Sequence, residues 1–255
     1  MPPLRASLLC LLAVSLPVAG SDDRSSPLAK PTEAQLNRLR AALDRAETRP
    51  EWEATARTLL DALDRSGSGQ GAEAAWLVQH LMETHPDDPR LAWRWADQQR
   101  HQGDPKGALS DLQHLIETHP EHSIAVRARR ALPALFLAVG QPAESARADE
   151  ALIADGLADP IPVLQRLART YAQLGEPGQA REALDRLRAL APERVTYDPT
   201  LMWIAAETAE RLDPPETAAA AMLRFANLVP DDRRRSSALL HAAKAFREVG
   251  NRELA

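Results

Sequence analysis

Cysteine, aromatic residues and excess positive charge are all scarce in this sequence of 255 residues. The single cysteine, Cys10, lies close to the amino terminus, so the rest of the chain lacks the thiols that a disulfide or a Cys–His zinc site requires. Aromatic residues make up only 4% and long runs of β-branched residues are absent, which disfavours a β-sandwich. The net charge of −5 argues against general nucleic-acid binding, because that function requires a basic face.

Alanine and leucine recur throughout the chain, and this composition suits closely packed helices. Apolar residues account for 44% and charged residues for 26%, which is compatible with an ordered fold. Most of the 20 prolines lie between segments of helical periodicity, where they mark helix boundaries and do not interrupt helices. The length allows one or two compact domains, or a single elongated array of repeats.

The amino terminus has the features of a secretory signal peptide. Arg5 supplies one positive charge, residues 6–14 form an apolar stretch, and residues 16–20 (LPVAG) end it with small residues. We therefore predict a signal peptide over residues 1–20, cleaved near Gly20–Ser21. The mature protein, with a net charge of about −6, is then expected in the periplasm.

Two other interpretations of this segment stay open. A membrane anchor is one, although the apolar run is shorter than the roughly 18 residues that a spanning helix needs. A lipoprotein signal is the other, although Leu9 and not a small residue precedes Cys10. Beyond the signal, residues 21–31 are predicted to be a disordered leader and residues 32–255 a helical repeat array.

An internal repeat is the strongest signal in the sequence. Residues 79–86 (QHLMETHP) recur as residues 113–120 (QHLIETHP), with seven of eight positions identical and a spacing of 34 residues. Self-similarity at a period of this length indicates a stack of equivalent supersecondary units, each about one helix pair long.

Glycine and proline mark the same point in successive units. Gly103, Gly140 and Gly175 are each followed two residues later by proline. Glycine permits the left-handed turn that ends a first helix, and proline fits the first turn of the second helix, where no N–H is needed. A small residue five positions after this marker lets the two helices approach closely, and these small residues are Ala74, Ala108, Ser145, Ala180 and Ala218.

The unit from about residue 161 to 194 shows the full pattern, with apolar residues at helical spacing at Leu164, Leu167, Ala168, Tyr171, Ala180, Leu184 and Leu187. This pattern resembles the tetratricopeptide-repeat (TPR) family, and the resemblance covers roughly residues 55–255. It implies an all-α fold, a right-handed α-solenoid of stacked antiparallel helix pairs. Two positions depart from the family pattern: the region of Gln98 and Gln99 lacks the usual aromatic residue, and Asp213 replaces a turn glycine.

Apolar periodicity and boundary residues together predict the helices. The predicted ranges are 33–47, 51–65, 71–84, 89–101, 105–119, 123–138, 142–155, 161–174, 177–190, 199–212, 215–228 and 234–249. The chain ends at Ala255, where the second helix of a last unit would begin. We therefore expect either that more protein follows or that the last first helix serves as the cap of the array.

The resemblance also implies where a partner binds, because in the TPR family the first helices of successive pairs line the concave face of the array. Carried onto this sequence, Trp93 and Trp203 occupy the same position in two repeats. The predicted partner-binding groove comprises Arg90, Trp93, Asp97, Arg100, Arg127, Arg130, Gln165, Arg169, Trp203 and Glu207.

A row of arginines in an acidic protein favours a partner segment of acidic character, because guanidinium groups make bidentate contacts with carboxylates. Tryptophan and arginine are also typical anchors of protein interfaces. The alternative interpretation is a solvated charged face with partly buried tryptophans. The asparagine and lysine pattern of chaperone-binding TPR domains is not evident, so a chaperone tail is not predicted as the ligand.

Several histidines cluster between residues 80 and 122, yet the sequence does not predict a metal site. His80 and His114 are equivalent positions of two repeats, and stacked helices lie roughly 8–10 Å apart. Zinc ligands must converge to about 2 Å from one ion. Repeat duplication therefore explains the histidines better than metal binding does, and no cofactor is predicted.

No motif predicts catalysis. The glycine-x-serine-x-glycine motif is absent, and the glycine-rich residues 66–71 lack the glycine-lysine-serine/threonine of a phosphate-binding loop. The acidic pairs at residues 87–88 and 231–232 follow prolines that end repeats, where acids favour the start of the next helix. The basic residues 233–235 are interpreted as a solvated helix start, with contact to an anionic surface as the alternative.

The sequence therefore predicts a non-enzymatic periplasmic TPR scaffold or adaptor in a cell-envelope complex. The expected partner is a protein or peptide segment of acidic character, with no nucleic acid and only indirect membrane contact. The alternative hypothesis is an N-terminal periplasmic TPR segment of a larger exopolysaccharide-export or envelope-assembly protein. A hidden enzyme is a third hypothesis, because sites built across helices escape sequence motifs.

Overall fold

The computed structural model describes residues 30–69 and 71–250, which form helices joined by short turns, with no strand among them. The predicted signal peptide and nearly all of the predicted leader lie outside these residues. The helices are α1 (Glu33–Asp44), α2 (Arg49–Ser66), α3 (Ala72–Met82), α4 (Pro89–His101), α5 (Pro105–Thr118), α6 (Ser123–Ala138), α7 (Pro142–Ala154), α8 (Pro160–Leu174), α9 (Pro177–Leu190), α10 (Pro192–Tyr197), α11 (Pro199–Leu212), α12 (Pro215–Leu228) and α13 (Arg235–Glu248).

The helices stack in consecutive pairs. The pairs are α2–α3, α4–α5, α6–α7, α8–α9 and α11–α12, and the two helices of each pair pack together. The second helix of each pair also packs against the first helix of the next pair. In the described residues the array ends with α13, which packs against α12 as the first helix of a further pair would. This arrangement confirms the predicted α-solenoid of stacked antiparallel helix pairs.

An acidic side chain followed by proline begins three of the six first helices in the described residues, α4, α8 and α11. Asp88 accepts a hydrogen bond from the backbone N–H of Arg90 at 2.9 Å, and Asp198 accepts one from Thr200 at 2.8 Å. Both acids precede a proline in the first turn of their helix. These caps satisfy N–H groups that have no partner within the helix, and they explain why α4 and α11 begin at the predicted residues.

The turn within a pair has the predicted geometry. Gly103, Gly140 and Gly175 have positive φ angles of 85°, 78° and 72°, which a residue with a side chain adopts only at a cost. The small residues five positions after each marker, from Ala74 to Ala218, are all buried. In the units of Gly103, Gly140 and Gly175, the close approach of the two helices therefore rests on a glycine turn followed by a small side chain.

Asp213, which departs from the family pattern, is explained by a different turn. Its φ angle is −106°, so the backbone is extended and no left-handed residue is needed there. Its carboxylate instead accepts two hydrogen bonds from Arg181 of α9, at 2.5 and 2.7 Å. An ion pair thus fixes the end of α11 where other units use glycine.

Gln98, the second departure, is buried in the position of the missing aromatic residue. Its side-chain amide donates a hydrogen bond to the carbonyl oxygen of Gly71, at 3.0 Å, in the turn before α3. A polar contact to the previous unit therefore replaces aromatic packing at this point.

Helix α10 is not among the predicted helices. The sequence pattern explains Pro192 only as the residue that stops α9, whereas the structure places it in the first turn of α10. Val195 of this short helix is 5% exposed and packs into the core formed by α8, α9 and α11. All the predicted helices are present, with ends that differ by at most three residues, the largest difference being the end of α1 at Asp44.

Candidate partner-binding cleft

A cleft of about 590 Å³ lies between the first helices α2, α4 and α6. It is continuous with a hollow of about 340 Å³ further along α4 and α6, since Trp93, Asp97 and Arg127 line both. We call the two together the arginine cleft, and the charged and aromatic residues that line it are Arg57, Asp61, Asp64, Arg90, Trp93, Arg94, Asp97, Arg100, His101 and Arg127.

Four of the predicted residues lie along α4 at intervals of three or four positions, which places them on one side of the helix: Arg90, Trp93, Asp97 and Arg100. A fifth, Arg127, comes from α6, and its guanidinium lies 4.5 Å from the centre of the Trp93 ring. This distance is within the range of a cation–π contact. The structure therefore brings half of the predicted set together in one cleft.

Ion pairs between units hold the walls of the arginine cleft. Arg94 of α4 contacts Asp61 at 2.6 Å and Asp64 at 2.8 Å, both on α2. Arg57 of α2 contacts Asp88 at 2.7 Å, at the start of α4. These five residues were not among the predicted site residues. Opposite charges about one repeat apart in the sequence would have indicated such ion pairs between units.

The positive charge of the cleft is not fully neutralised. Asp97 pairs with Arg100 at 2.7 Å within α4. Arg90 and Arg127, in contrast, are exposed and form no ion pair with any residue in the described ranges. Two guanidinium groups, one of them over the Trp93 ring, therefore line the cleft, and their fork-shaped donor sets fit carboxylates.

The predicted residues Arg130 of α6 and those of α8 lie outside the arginine cleft. Arg130 donates a hydrogen bond from Nε to the carbonyl oxygen of Leu157 and lines a separate hollow beside the turn before α8. Arg169 pairs with Asp198 at 2.8 Å, and Gln165 is half-buried on α8. These side chains also lie on first helices, but each one bonds to or packs against residues outside the arginine cleft.

The predicted residues of α11 also lie apart from the cleft. Trp203 packs edge-on against Phe225 of α12, with ring centres 5.3 Å apart, and Arg234 lies over both rings at 5.6 and 5.4 Å. Two hydrogen bonds at 2.7 and 2.9 Å join Arg234 to the carboxylate of Asp232. These bonds hold the pKa of Asp232 well below its usual range. Glu207 is half-buried one turn after Trp203 on α11.

Neither a metal cluster nor a membrane-spanning helix is found in the described part of the chain. Residues 30–69 and 71–250 contain no group of three or more histidine, cysteine, aspartate or glutamate side chains that could hold an ion. Within those ranges, no helix has both the length and the apolar character needed to cross a membrane.

Comparison with known proteins identifies the repeat. A tetratricopeptide-repeat family model matches residues 163–193. No curated protein matches the sequence. The family match identifies the α8–α9 unit as a tetratricopeptide repeat, and the other helix pairs stack in the same arrangement.

Solved structures agree with this fold at low sequence identity. YrrB, described as a TPR protein with an unusual peptide-binding site, is 15% identical with a TM-score of 0.51, over 69% of this chain and 86% of that one. A MamA RS-1 double mutant is 20% identical with a TM-score of 0.53, over 70% of this chain and 94% of that one. A TPR protein from Parabacteroides merdae is 16% identical with a TM-score of 0.53, over 85% of both chains.

Proposed function

We propose that this tetratricopeptide-repeat protein is a non-enzymatic scaffold that binds an acidic segment of another protein in its arginine cleft. The observation that carries the proposal is the pair of exposed arginines, Arg90 and Arg127, that line the cleft together with Trp93. The peptide-binding site described for YrrB, which shares the fold, is consistent with a peptide ligand here as well.

The chemistry of the cleft favours carboxylates over other groups. A guanidinium can donate two parallel hydrogen bonds to one carboxylate, and such charge-assisted bonds are about twice as strong as neutral ones. The acids of the cleft do not oppose this, because Arg94 and Arg100 already pair with Asp61, Asp64 and Asp97. Trp93 adds a flat apolar surface for the side chain or backbone of a bound segment.

We further propose that the scaffold works in the periplasm as part of a cell-envelope complex. The support is the signal-like pattern of residues 1–20, with Arg5 before an apolar stretch that ends in small residues. Protein recovered from the periplasmic fraction of the native cells is expected to begin at or near Ser21, as determined by mass spectrometry. Recovery only from the cytoplasm, with residues 1–20 intact, would contradict this assignment.

Peptide arrays test the ligand class directly. Mature protein from residue 21 onward is applied to three sets of peptides, which are acidic, basic or neutral and otherwise identical. Each peptide has about twelve residues, which span about 18 Å as a helix. We expect binding to the acidic peptides, weakened by added salt because exposed charges are screened over about 10 Å at 0.1 M.

Charge-reversal variants locate the binding. Arg90→Glu with Arg127→Glu is expected to abolish acidic-peptide binding. The matched control, Arg194→Glu with Arg233→Glu, makes the same change in net charge at two exposed arginines outside the cleft and is expected to bind as the wild type does. Equal loss in both variants would mean that net charge, and not the cleft, governs binding.

A further inference from the structure

A second concave surface lies at the other end of the array, between the second helices α9 and α12. It encloses about 600 Å³, is floored by α11, and shares no residue with the arginine cleft. We call it the apolar groove, and its lining includes Leu184, Met202, Ala205, Ala209, Ala221 and Phe225. Its volume is within the range of pockets that hold ligands.

The floor of the apolar groove is made of small and flexible side chains. Ala205 of α11 and Ala221 of α12 are half-buried, and Ala220 is exposed, so methyl groups face the open space. Met202 contributes a thioether that adapts to the shape of a neighbour. Small residues on facing helices also allow another segment to approach closely.

Both ends of the groove are closed. The ion pair of Arg181 with Asp213 joins α9 to the end of α11 at one end. Helix α10 closes the other end with Pro192 and Val195. The wall of α9 from Arg181 to Arg188 is about 10 Å long, or two helical turns, so the groove accepts a short segment and not a long helix.

The charges at the rim are unequal. Arg181 is paired with Asp213 at 2.5 Å, and Arg188 is paired with Asp185 at 2.6 Å. Arg224 of α12 also lines the groove, is exposed, and forms no ion pair with any residue of the described ranges. Since α9 and α12 run parallel, Arg188 and Arg224 lie toward the same end, which is the end closed by α10.

We propose that the apolar groove binds a short protein segment that combines aliphatic side chains with a carboxylate. The aliphatic side chains contact the alanine and methionine floor, and the carboxylate binds Arg224. The scaffold then has two docking surfaces of different chemistry, one on its first helices and one on its second helices. This inference goes beyond the proposed function and does not depend on it.

Methionine methyl groups report on the groove directly, because Met202 lies in it and Met82 ends α3 far away. The protein is labelled with 13C in its methionine methyl groups and titrated with a capped alanine-based peptide of about ten residues, long enough to cover two helical turns. This peptide carries two leucines and one glutamate, and a matched peptide carries glutamine instead. We expect the Met202 signal to shift and saturate while the Met82 signal stays in place.

The carboxylate requirement is tested with variants. The glutamine peptide is expected to bind about tenfold more weakly, as the loss of one charge-assisted hydrogen bond implies. Arg224→Gln should erase the difference between the two peptides, whereas the control Arg38→Gln, at an exposed arginine of α1, should preserve it. The double variant Arg90→Glu with Arg127→Glu should bind the glutamate peptide unchanged, which separates this groove from the arginine cleft.

Three results would overturn the proposal. One is the absence of a saturable Met202 shift with either peptide. Another is equal binding of both peptides to wild-type protein. The third is binding of decanoate, an aliphatic carboxylate that is not a peptide, more tightly than the glutamate peptide. The groove would then be a lipid site and not a protein-docking surface.

Discussion

Trp93 and Trp203 occupy the same position in two repeats but have different surroundings. Trp93 lines an open cleft, and the guanidinium that covers it, that of Arg127, has no carboxylate partner in the described residues. Trp203 packs against Phe225, and the guanidinium that covers it, that of Arg234, is bound to Asp232 at 2.7 Å. The same tryptophan–arginine contact is thus open to a partner in the first case and part of the internal packing in the second.

Position within a repeat therefore determines where a side chain lies, whereas its neighbours determine what it can bind. The neighbours of Trp203 come from α12 and from the turn before α13. The neighbours of Trp93 leave the arginine cleft open between α2, α4 and α6. We therefore expect changes at Trp93 to affect binding and changes at Trp203 to affect stability.

The largest expected effect is on the free energy of unfolding. Trp203→Ala removes a ring that packs on the buried Phe225 and should lower this free energy by about 3–5 kcal/mol, the usual range for truncating a large aromatic in a core. Trp93→Ala should cost less, because one side of its ring faces the cleft. Urea unfolding followed by circular dichroism measures both, and a larger loss at Trp93 would reverse the comparison.

The next effect is on affinity. Arg127→Gln should weaken binding of an acidic peptide about tenfold, because one charge-assisted contact is lost. Arg234→Gln, the equivalent change beside Trp203, should leave the affinity unchanged. Fluorescence anisotropy with a labelled acidic peptide measures both constants, and a comparable loss from the two variants would show that both tryptophan sites bind the partner.

A smaller effect, of equal size, is expected at two turn glycines, one after α4 and one after α8. Gly103→Ala and Gly175→Ala each place a side chain at a positive φ angle, of 85° and 72°, which should lower the free energy of unfolding by about 1 kcal/mol. Little or nothing lies within contact distance of an added methyl group at either position. Unequal losses in urea unfolding would contradict this expectation and show that the two turns differ in backbone strain.

The smallest effect depends on pH. Hydrogen bonds from Arg234 lower the pKa of Asp232 in the folded protein, so the contribution of this carboxylate to stability is present above its unfolded pKa of about 3.9. It is lost as the pH falls through the lower folded pKa. The difference in thermal midpoint between wild type and Asp232→Asn should therefore be full at pH 7 and shrink below about pH 4. In the background of Arg234→Gln, the same difference should already be smaller at pH 7.

Most of the fold was predictable because its determinants are local. Apolar periodicity places the helices, Asp88 and Asp198 cap two of them, and Gly103 marks a turn that only glycine adopts easily. Helix α10 was not predicted because six residues are too few to show a period, and its proline was sufficient to explain the end of α9. The turn at Asp213 was not predictable either, since it depends on Arg181 from another helix.

The candidate site was predictable only in part, for the same physical reason. The family resemblance predicts the positions of Arg90, Trp93 and Arg127, and the structure places them in one cleft. It does not show that Arg130 bonds to the carbonyl of Leu157 or that Arg169 pairs with Asp198, because these contacts join different repeats. The apolar groove was missed because its alanines look like ordinary packing residues in the sequence.

Site-specific photo-cross-linking tests the central claim most directly. Benzoylphenylalanine is placed at Trp93 in one variant and at Trp203 in another, and each is irradiated with the same acidic peptide. We predict a cross-linked product from position 93 and none from position 203, with the product abolished by Arg90→Glu and Arg127→Glu. Equal cross-linking from both positions, or cross-linking from position 203 alone, would contradict it.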